Sequence, residues 1–133
     1  MVTLEISNKS LSISDFTAIV QGPVQVHMAP SVFDQIRRSH KILQDHLKAG
    51  TKIYGVTTGF GKLSQVMISR ADQVTLQKNL IRSHAAGVGE PFPSNVIRLA
   101  MVLKLATWAH GNSGVSEDLV LKLTHFINHD ILP

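Results

Sequence analysis

Between Ile53 and Gly61 the chain reads Ile-Tyr-Gly-Val-Thr-Thr-Gly-Phe-Gly, and this stretch limits the fold more than any other. Three glycines, at 55, 59 and 61, fall within seven residues. The segment has neither the alternation of a strand nor the period of a helix. It predicts a loop whose backbone takes torsions that side chains disfavour, or that lies close against a neighbour. Regular structure must come from the residues on either side.

Those residues predict helices with two short strands in front. Val2 to Ile6 alternate apolar and polar, as a strand does. Ser14-Asp15 is expected to open a helix with Phe16, Ile19 and Val20 on its apolar side, stopped by Gly22-Pro23. Val24-Gln25-Val26 predicts a second strand. Pro30-Ser31 precedes a longer helix over about 32–48. Ser31 and Asp34 resemble a capping box there, Val32, Ile36, Ile42, Leu43 and Leu47 form its apolar stripe, and Gly50 is its stop. Further helices are expected over about 71–84 and, capped by Ser94, over about 95–110. A turn at Gly111–Gly114 follows, then a helix capped by Ser116 with Leu119, Leu123, Phe126 and Ile127 inward. The fold class is mainly α, with short N-terminal β-strands and a glycine-rich pocket loop. With 133 residues and no linker or repeat, the chain is read as one domain over 1–133. It ends on an apolar tripeptide, Ile131-Leu132-Pro133, which gives the expectation that further chain follows.

Composition narrows the chemistry. There are no cysteines, which removes disulfides, thiolate metal sites and a cysteine nucleophile, and fits a cytoplasmic location. Net charge is +4, but the basic residues are scattered and Arg37-Arg38 is their only tight pair. Nucleic-acid binding needs a basic stripe, so no nucleic-acid partner is expected. No apolar run is long enough for a membrane span, and the N-terminus does not read as a secretory signal.

Candidate chemistry rests on few residues. Tyr54, the only tyrosine, enters the glycine-rich loop. It is either a loop anchor or a general base, the latter only if its surroundings favour the phenolate. The loop lacks the spacing of a P-loop or a dinucleotide fingerprint. His84 falls on one helical face with Leu80 and Ile81, below Gln77. It is either a core histidine bonded to a backbone carbonyl or a side chain projecting into a substrate pocket. Among seven histidines, His125 and His129 have the i, i+4 spacing that can hold zinc. Phe126, Ile127 and Asn128 lie between them with no glutamate, so a pair near a helix end is expected and no metal. Ser113, in Gly111-Asn112-Ser113-Gly114, lacks the spacing of a nucleophile elbow and is read as a turn.

Read together, three blocks say more. Tyr54 to Gly61, Leu76 to Gly89, and Gly111-Asn112-Ser113-Gly114-Val115 resemble, in order and at matching distances, conserved blocks of the histidine, tyrosine and phenylalanine ammonia-lyases and related aminomutases. The resemblance runs from about residue 2 to 133. It implies ammonia elimination from L-histidine or L-tyrosine, giving urocanate or coumarate, in a cytoplasmic homotetramer. It also implies a methylidene-imidazolone (MIO) electrophile formed from an internal Ala-Ser-Gly triplet. On this resemblance Tyr54 is the catalytic base that takes a proton from the β carbon, and His84, Ser83 and Gly61 are substrate-binding. Ser83-His84 argues against phenylalanine and leaves histidine and tyrosine open, as it does lyase and aminomutase.

One departure is large. No Ala-Ser-Gly occurs in these residues, and Asn112-Ser113-Gly114 belongs to the family's separate turn block. The chain is therefore expected to be the N-terminal part of such an enzyme, inactive by itself. Its partners would be the rest of the lyase chain or other lyase subunits, besides a small amino-acid substrate. Two rival expectations are a non-catalytic binding or interaction module, and one subunit of a split ammonia-lyase or aminomutase.

Overall fold

The computed structural model describes residues Val2–Pro133. In order it contains β1 (Val2–Ile6), α1 (Ile13–Gln21), β2 (Val24–Met28), α2 (Pro30–Lys48), a 3-10 turn (Gly61–Leu63), α3 (Gln73–His84), α4 (Ser94–Ala109) and α5 (Glu117–Asn128). The fold is mainly helical with two N-terminal strands. Its residues divide into two compact units, one of 1–43 with 91–133 and one of 44–90. The division falls inside α2, where no change in composition marks it.

In the larger unit β1 and β2 pair in parallel, with Val2 opposite Val24 and Ile6 opposite Met28. Parallel strands need a crossover, and α1 supplies it. Leu4, Ile6, Val24 and Val26 turn one sheet face inward. Against them, and against Ile19, Val32 and Ile36, pack the α4 residues Met101, Val102, Leu105 and Ala109 and the α5 residues Val120 and Ile127. Positions 101, 102, 105 and 109 are one helical face.

The helix starts depart from the sequence reading in instructive ways. Ser12, not Ser14, caps α1. A capping box needs an acid three residues after the cap, and Asp15 is three after Ser12. The Ser12 backbone N–H donates to Asp15 Oδ2 at 2.7 Å, and with the Ser12 hydroxyl it holds the Asp15 carboxyl below its usual range. Ser31 caps nothing. Pro30 takes the first position of α2, which suits its fixed φ and missing N–H, and the Val32 N–H donates to Ala29 O at 2.9 Å. Ser94 is likewise already helical, because the Pro93 carbonyl accepts from Val96 and Ile97. Ser116 does cap α5, accepting from the Leu119 N–H. On α5 Ile127 is buried and Leu123 and Phe126 pack against the core, as expected; at the first turn Val120 is buried and Leu119 is exposed, so only that position differs from the reading. On α1 and α2, Ile19, Val32 and Ile36 are buried while Val20 and Ile42 face out. At the other end of α2, Gly50 has φ 69° and its N–H donates to Leu47 O, the expected helix stop.

Four polar contacts tie this unit together across long stretches of sequence. Asn128 at the end of α5 grips the β2 backbone: its Oδ1 accepts from Val26 N–H at 2.7 Å and its amide donates to Val26 O at 3.0 Å. The buried Arg98 donates to Asp130 Oδ1 at 3.0 and 2.9 Å. The Gly111–Gly114 turn rests on α2, where Gly114 N–H donates to Ser39 Oγ and Gly114 O accepts from His40 Nδ1. Arg37, half of the Arg37-Arg38 pair, is paired with Glu117 and Asp34 at 2.7 Å each. Both carboxylates, Glu117 foremost, raise its pKa.

Asn128→Ala deletes both bonds to Val26 and is expected to destabilise the larger unit by about 1–3 kcal/mol. A lowered urea midpoint followed by the fluorescence of Trp108, the single tryptophan, checks this; an unchanged midpoint would show that water replaces the amide without loss.

Candidate active site

The smaller unit, 44–90, contains all four residues singled out for chemistry: Tyr54, Gly61, Ser83 and His84. The helix stop at Gly50 releases the chain into the glycine-rich segment, which folds as consecutive turns. Val56 and Thr57 N–H groups donate to Ile53 O, and a single antiparallel bridge joins Thr58 to Met67. The 3-10 turn then closes the segment, with Leu63 N–H donating to Phe60 O.

Tyr54 stands at the start of this path, with 63% of its surface exposed. Its ring meets Phe60 edge-on, with centroids 5.8 Å apart and planes at 81°. The Gly61 N–H points to the phenol oxygen at 3.4 Å, a long contact. Gly55 makes the Tyr54–Phe60 approach possible. Its φ is 69°, and a Cβ there would stand 2.7 Å from Phe60 Cε1. The glycine thus meets both conditions expected of the loop, unusual torsion and close approach. Beside Tyr54 opens a cleft of about 420 Å³ lined also by Lys52, Thr58, Ser64 and Gln65. The Lys52 ammonium donates to Gln65 Oε1.

Ser83 and His84 close α3. Both are exposed, and no residue of α3 is buried. His84 Nδ1 lies 2.9 Å from Leu80 O, and Ser83 Oγ lies 3.0 Å from the same carbonyl and 3.1 Å from His84 Nδ1. A carbonyl only accepts, so Nδ1 carries the hydrogen and Nε2 is left as an acceptor when the ring is neutral. The backbone-bonded histidine weighed from the sequence is therefore present, but at the surface and on its own helix, not in a core.

Tyr54 and Gly61 are thus brought together, as are Ser83 and His84; no hydrogen bond joins the two pairs. The connection runs through Gln77, whose side-chain amide donates to Gly55 O at 3.1 Å. His84 is seven residues beyond Gln77 on the same face, about 10 Å along the helix axis. A second groove of about 310 Å³ lies along this helix, lined by Val56, Gln73, Val74, Gln77, Lys78 and Ile81. Sequence reasoning passed over Lys52, Thr57, Thr58 and Gln65. Thr57 and Thr58 sit inside the recognised motif, but their burial gives no signal in a sequence. In the larger unit the His125 and His129 ring centroids lie 4.0 Å apart with their planes tilted by 38°, and His129 Nδ1 lies 2.9 Å from His125 O. Among the described residues no three metal-ligating side chains gather, and no helix is long and apolar enough to cross a membrane.

The sequence matches the aromatic amino acid lyase family over residues 11–133. It is 39% identical to a histidine ammonia-lyase of Treponema denticola over 96% of this chain and 25% of that protein. It is 38% identical to a histidine ammonia-lyase of Macrococcus caseolyticus over 99% of this chain and 26% of that protein. Among solved structures, tyrosine aminomutase from Streptomyces globisporus superposes with a TM-score of 0.88 at 28% identity, over 96% of this chain and 24% of that one. Histidine ammonia-lyase from Trypanosoma cruzi gives 0.81 at 25% identity, over 96% and 24%. The chain spans about a quarter of the length of the curated relatives it matches.

Gly55→Ala would force a side chain into positive φ and against the Phe60 ring. We expect a loss of about 1–2 kcal/mol in the smaller unit and of the edge-on Tyr54–Phe60 contact. Denaturant unfolding followed at the Tyr54 ring measures the first, and cross-relaxation between the two rings the second.

Proposed function

Because the chain belongs to the aromatic amino acid lyase family, we propose that it is the N-terminal part of an ammonia-lyase acting on L-histidine or L-tyrosine, with Tyr54 as the base. The observation that carries this reading is the match over residues 11–133, with Tyr54 kept at the mouth of a cleft.

The chemistry required is removal of a weakly acidic proton from the β carbon. The Cβ–H electrons become the Cα–Cβ double bond, the C–N bond breaks, and ammonia leaves. The chain's own residues offer parts of this. The Tyr54 oxygen takes the proton and is exposed enough to reach a bound amino acid. Gly61 supplies a backbone donor to that oxygen, and so acts on substrate through Tyr54. His84, with Nδ1 committed to Leu80 O, offers Nε2 to the substrate ring. An acceptor there suits the phenol O–H of tyrosine and the imidazole N–H of histidine equally, which keeps both substrates open. Ser83 touches His84 Nδ1 and the same carbonyl, so its part is to orient that ring. Phe60 backs the Tyr54 ring from one side.

The family's methylidene-imidazolone does not fit this stretch of chain. Its precursor triplet is absent from the 133 residues, and other parts of a lyase must supply the group that makes the amine a leaving group. The residues here would act as the base and the ring-side wall of an active site completed by the rest of the lyase chain or by other subunits. A cytoplasmic tetramer is part of the same proposal.

We expect the purified chain, given L-histidine or L-tyrosine, to release no ammonia and to form no urocanate or coumarate; appearance of either product overturns the reading of it as an incomplete enzyme. Continued in one polypeptide through an Ala-Ser-Gly segment and the remainder of a lyase, the same residues should support elimination. Tyr54→Phe should then lower kcat by about 100-fold or more, and an unchanged kcat would remove Tyr54 as the base.

A further inference from the structure

Inside the glycine-rich segment, two threonines are the most deeply buried side chains of the smaller unit. Thr57 is 2% exposed and Thr58 is 0% exposed. Buried hydroxyls require partners, and here the partners are the loop's own peptides. Thr57 Oγ1 accepts from Ile53 N–H at 2.8 Å and donates to Thr51 O at 3.0 Å, which fixes the entry to the loop. Thr58 Oγ1 accepts from Gly55 N–H at 3.2 Å and donates to Gly59 O at 2.9 Å. One hydroxyl thereby joins the peptide next to Tyr54 to the peptide next to Phe60.

We propose that Thr58 is a positioning residue for Tyr54, its buried hydroxyl holding the peptides at Gly55 and Gly59 together and with them the edge-on contact between Tyr54 and Phe60. The inference rests on reading Tyr54 as the base, since it assigns Thr58 a part in that residue's placement.

Three observations lead to it. First, the hydroxyl is used in both directions, its oxygen accepting from Gly55 N–H while its single hydrogen goes to Gly59 O, so one group serves both peptides at once. Second, Thr58 is fully buried in the folded loop, so its hydroxyl is satisfied by these two peptides and not by bulk solvent, and its loss would leave their groups without that partner. Third, the two glycines it bonds cannot hold the loop by side-chain packing. Gly55 already sits under the Phe60 ring, and a Cβ at Gly59 would be 2.7 Å from Leu63 Cβ. With no side chain to pack at either position, the polar bonds carry the geometry. Gln77 adds a grip on Gly55 O from α3, so Gly55 is held on both sides, its N–H by Thr58 and its carbonyl by Gln77.

The test uses the fact that Tyr54 is the only tyrosine and Trp108 the only tryptophan of the chain. Labelled tyrosine gives one set of ring signals from the smaller unit, and the Trp108 indole reports independently on the larger one. In the 133-residue chain we expect Tyr54 signals displaced from those of free tyrosine by the Phe60 ring, with cross-relaxation between the two rings. Thr58→Val keeps the shape and removes the hydroxyl. It should abolish that cross-relaxation and return the Tyr54 signals to near free-tyrosine positions, while the Trp108 indole signal stays unmoved. Thr58→Ser restores the hydroxyl and should restore the contact. Retention of the Tyr54–Phe60 contact in Thr58→Val overturns the proposal, and so does its loss in Thr58→Ser. Should Thr58→Val also disturb Trp108, exchange of the Gly55 amide in the unaltered chain decides. Protection of about tenfold or more over the free-peptide rate supports the bond to Thr58, and exchange at the free-peptide rate overturns it. These readouts follow geometry and not turnover. Failure of Tyr54 as a base would leave them standing, and their failure would leave the base assignment to be judged by kinetics.

Discussion

Burial of one face of α4 is the contact on which the larger unit depends. Met101, Val102, Leu105 and Ala109 form a continuous stripe, and α1, β1 and α5 all pack on this helix. Burial of that stripe is the largest favourable term available to so small a fold. The parallel strand pair could not stand without it, since two strands alone are marginal in water. With α4 and α5 covering one face, β1 and β2 become the floor of a core. The polar contacts at Asn128 and Arg98 then fix where α5 and the chain beyond it lie on that floor.

The smaller unit is built on a different principle. No residue of α3 is fully buried, and Val74, Ile81 and Val88 are exposed. The side chains buried in its glycine-rich segment are the hydroxyl-bearing Thr57 and Thr58. A loop held by hydrogen bonds and by the bare backbone of glycine has few atoms to rearrange when one bond is lost. Its geometry is correspondingly specific, and small changes are felt at Tyr54. Residues that carry chemistry are commonly set on loops of this kind beside a packed scaffold.

Legibility in the sequence followed the range of the interactions. Helices and strands were readable because each announces itself within a few residues, by period or by punctuation. Gly50 as a stop and Ser116 as a cap were visible for that reason. The starts of α1, α2 and α4 differ from the sequence reading because a serine near a helix start is not by itself a cap, and the first residue turned on a neighbour. For α1 that was the spacing to Asp15, for α2 the preference of Pro30 for the first position, and for α4 the Pro93 carbonyl. Three of the four inward positions expected on α5, Leu123, Phe126 and Ile127, do meet the core; at the first turn the neighbouring Val120 is buried instead of Leu119, a choice between two adjacent apolar residues that period does not make. His84 was identified with its two possible partners, a carbonyl or a substrate, but its surface position on α3 could not be read from periodicity.

By itself, the sequence determined the family, the kinds and order of the regular elements, and the loop at Gly55, Gly59 and Gly61. All of these are carried by residues close together in the chain or by motifs that need no coordinates. Only the tertiary structure decided that Asn128 grips Val26 across 102 residues, that buried Arg98 meets Asp130, and that one threonine hydroxyl spans the peptides flanking Tyr54 and Phe60. The physical reason is that a hydrogen bond depends on where the chain brings two groups, and neither composition nor period records that meeting.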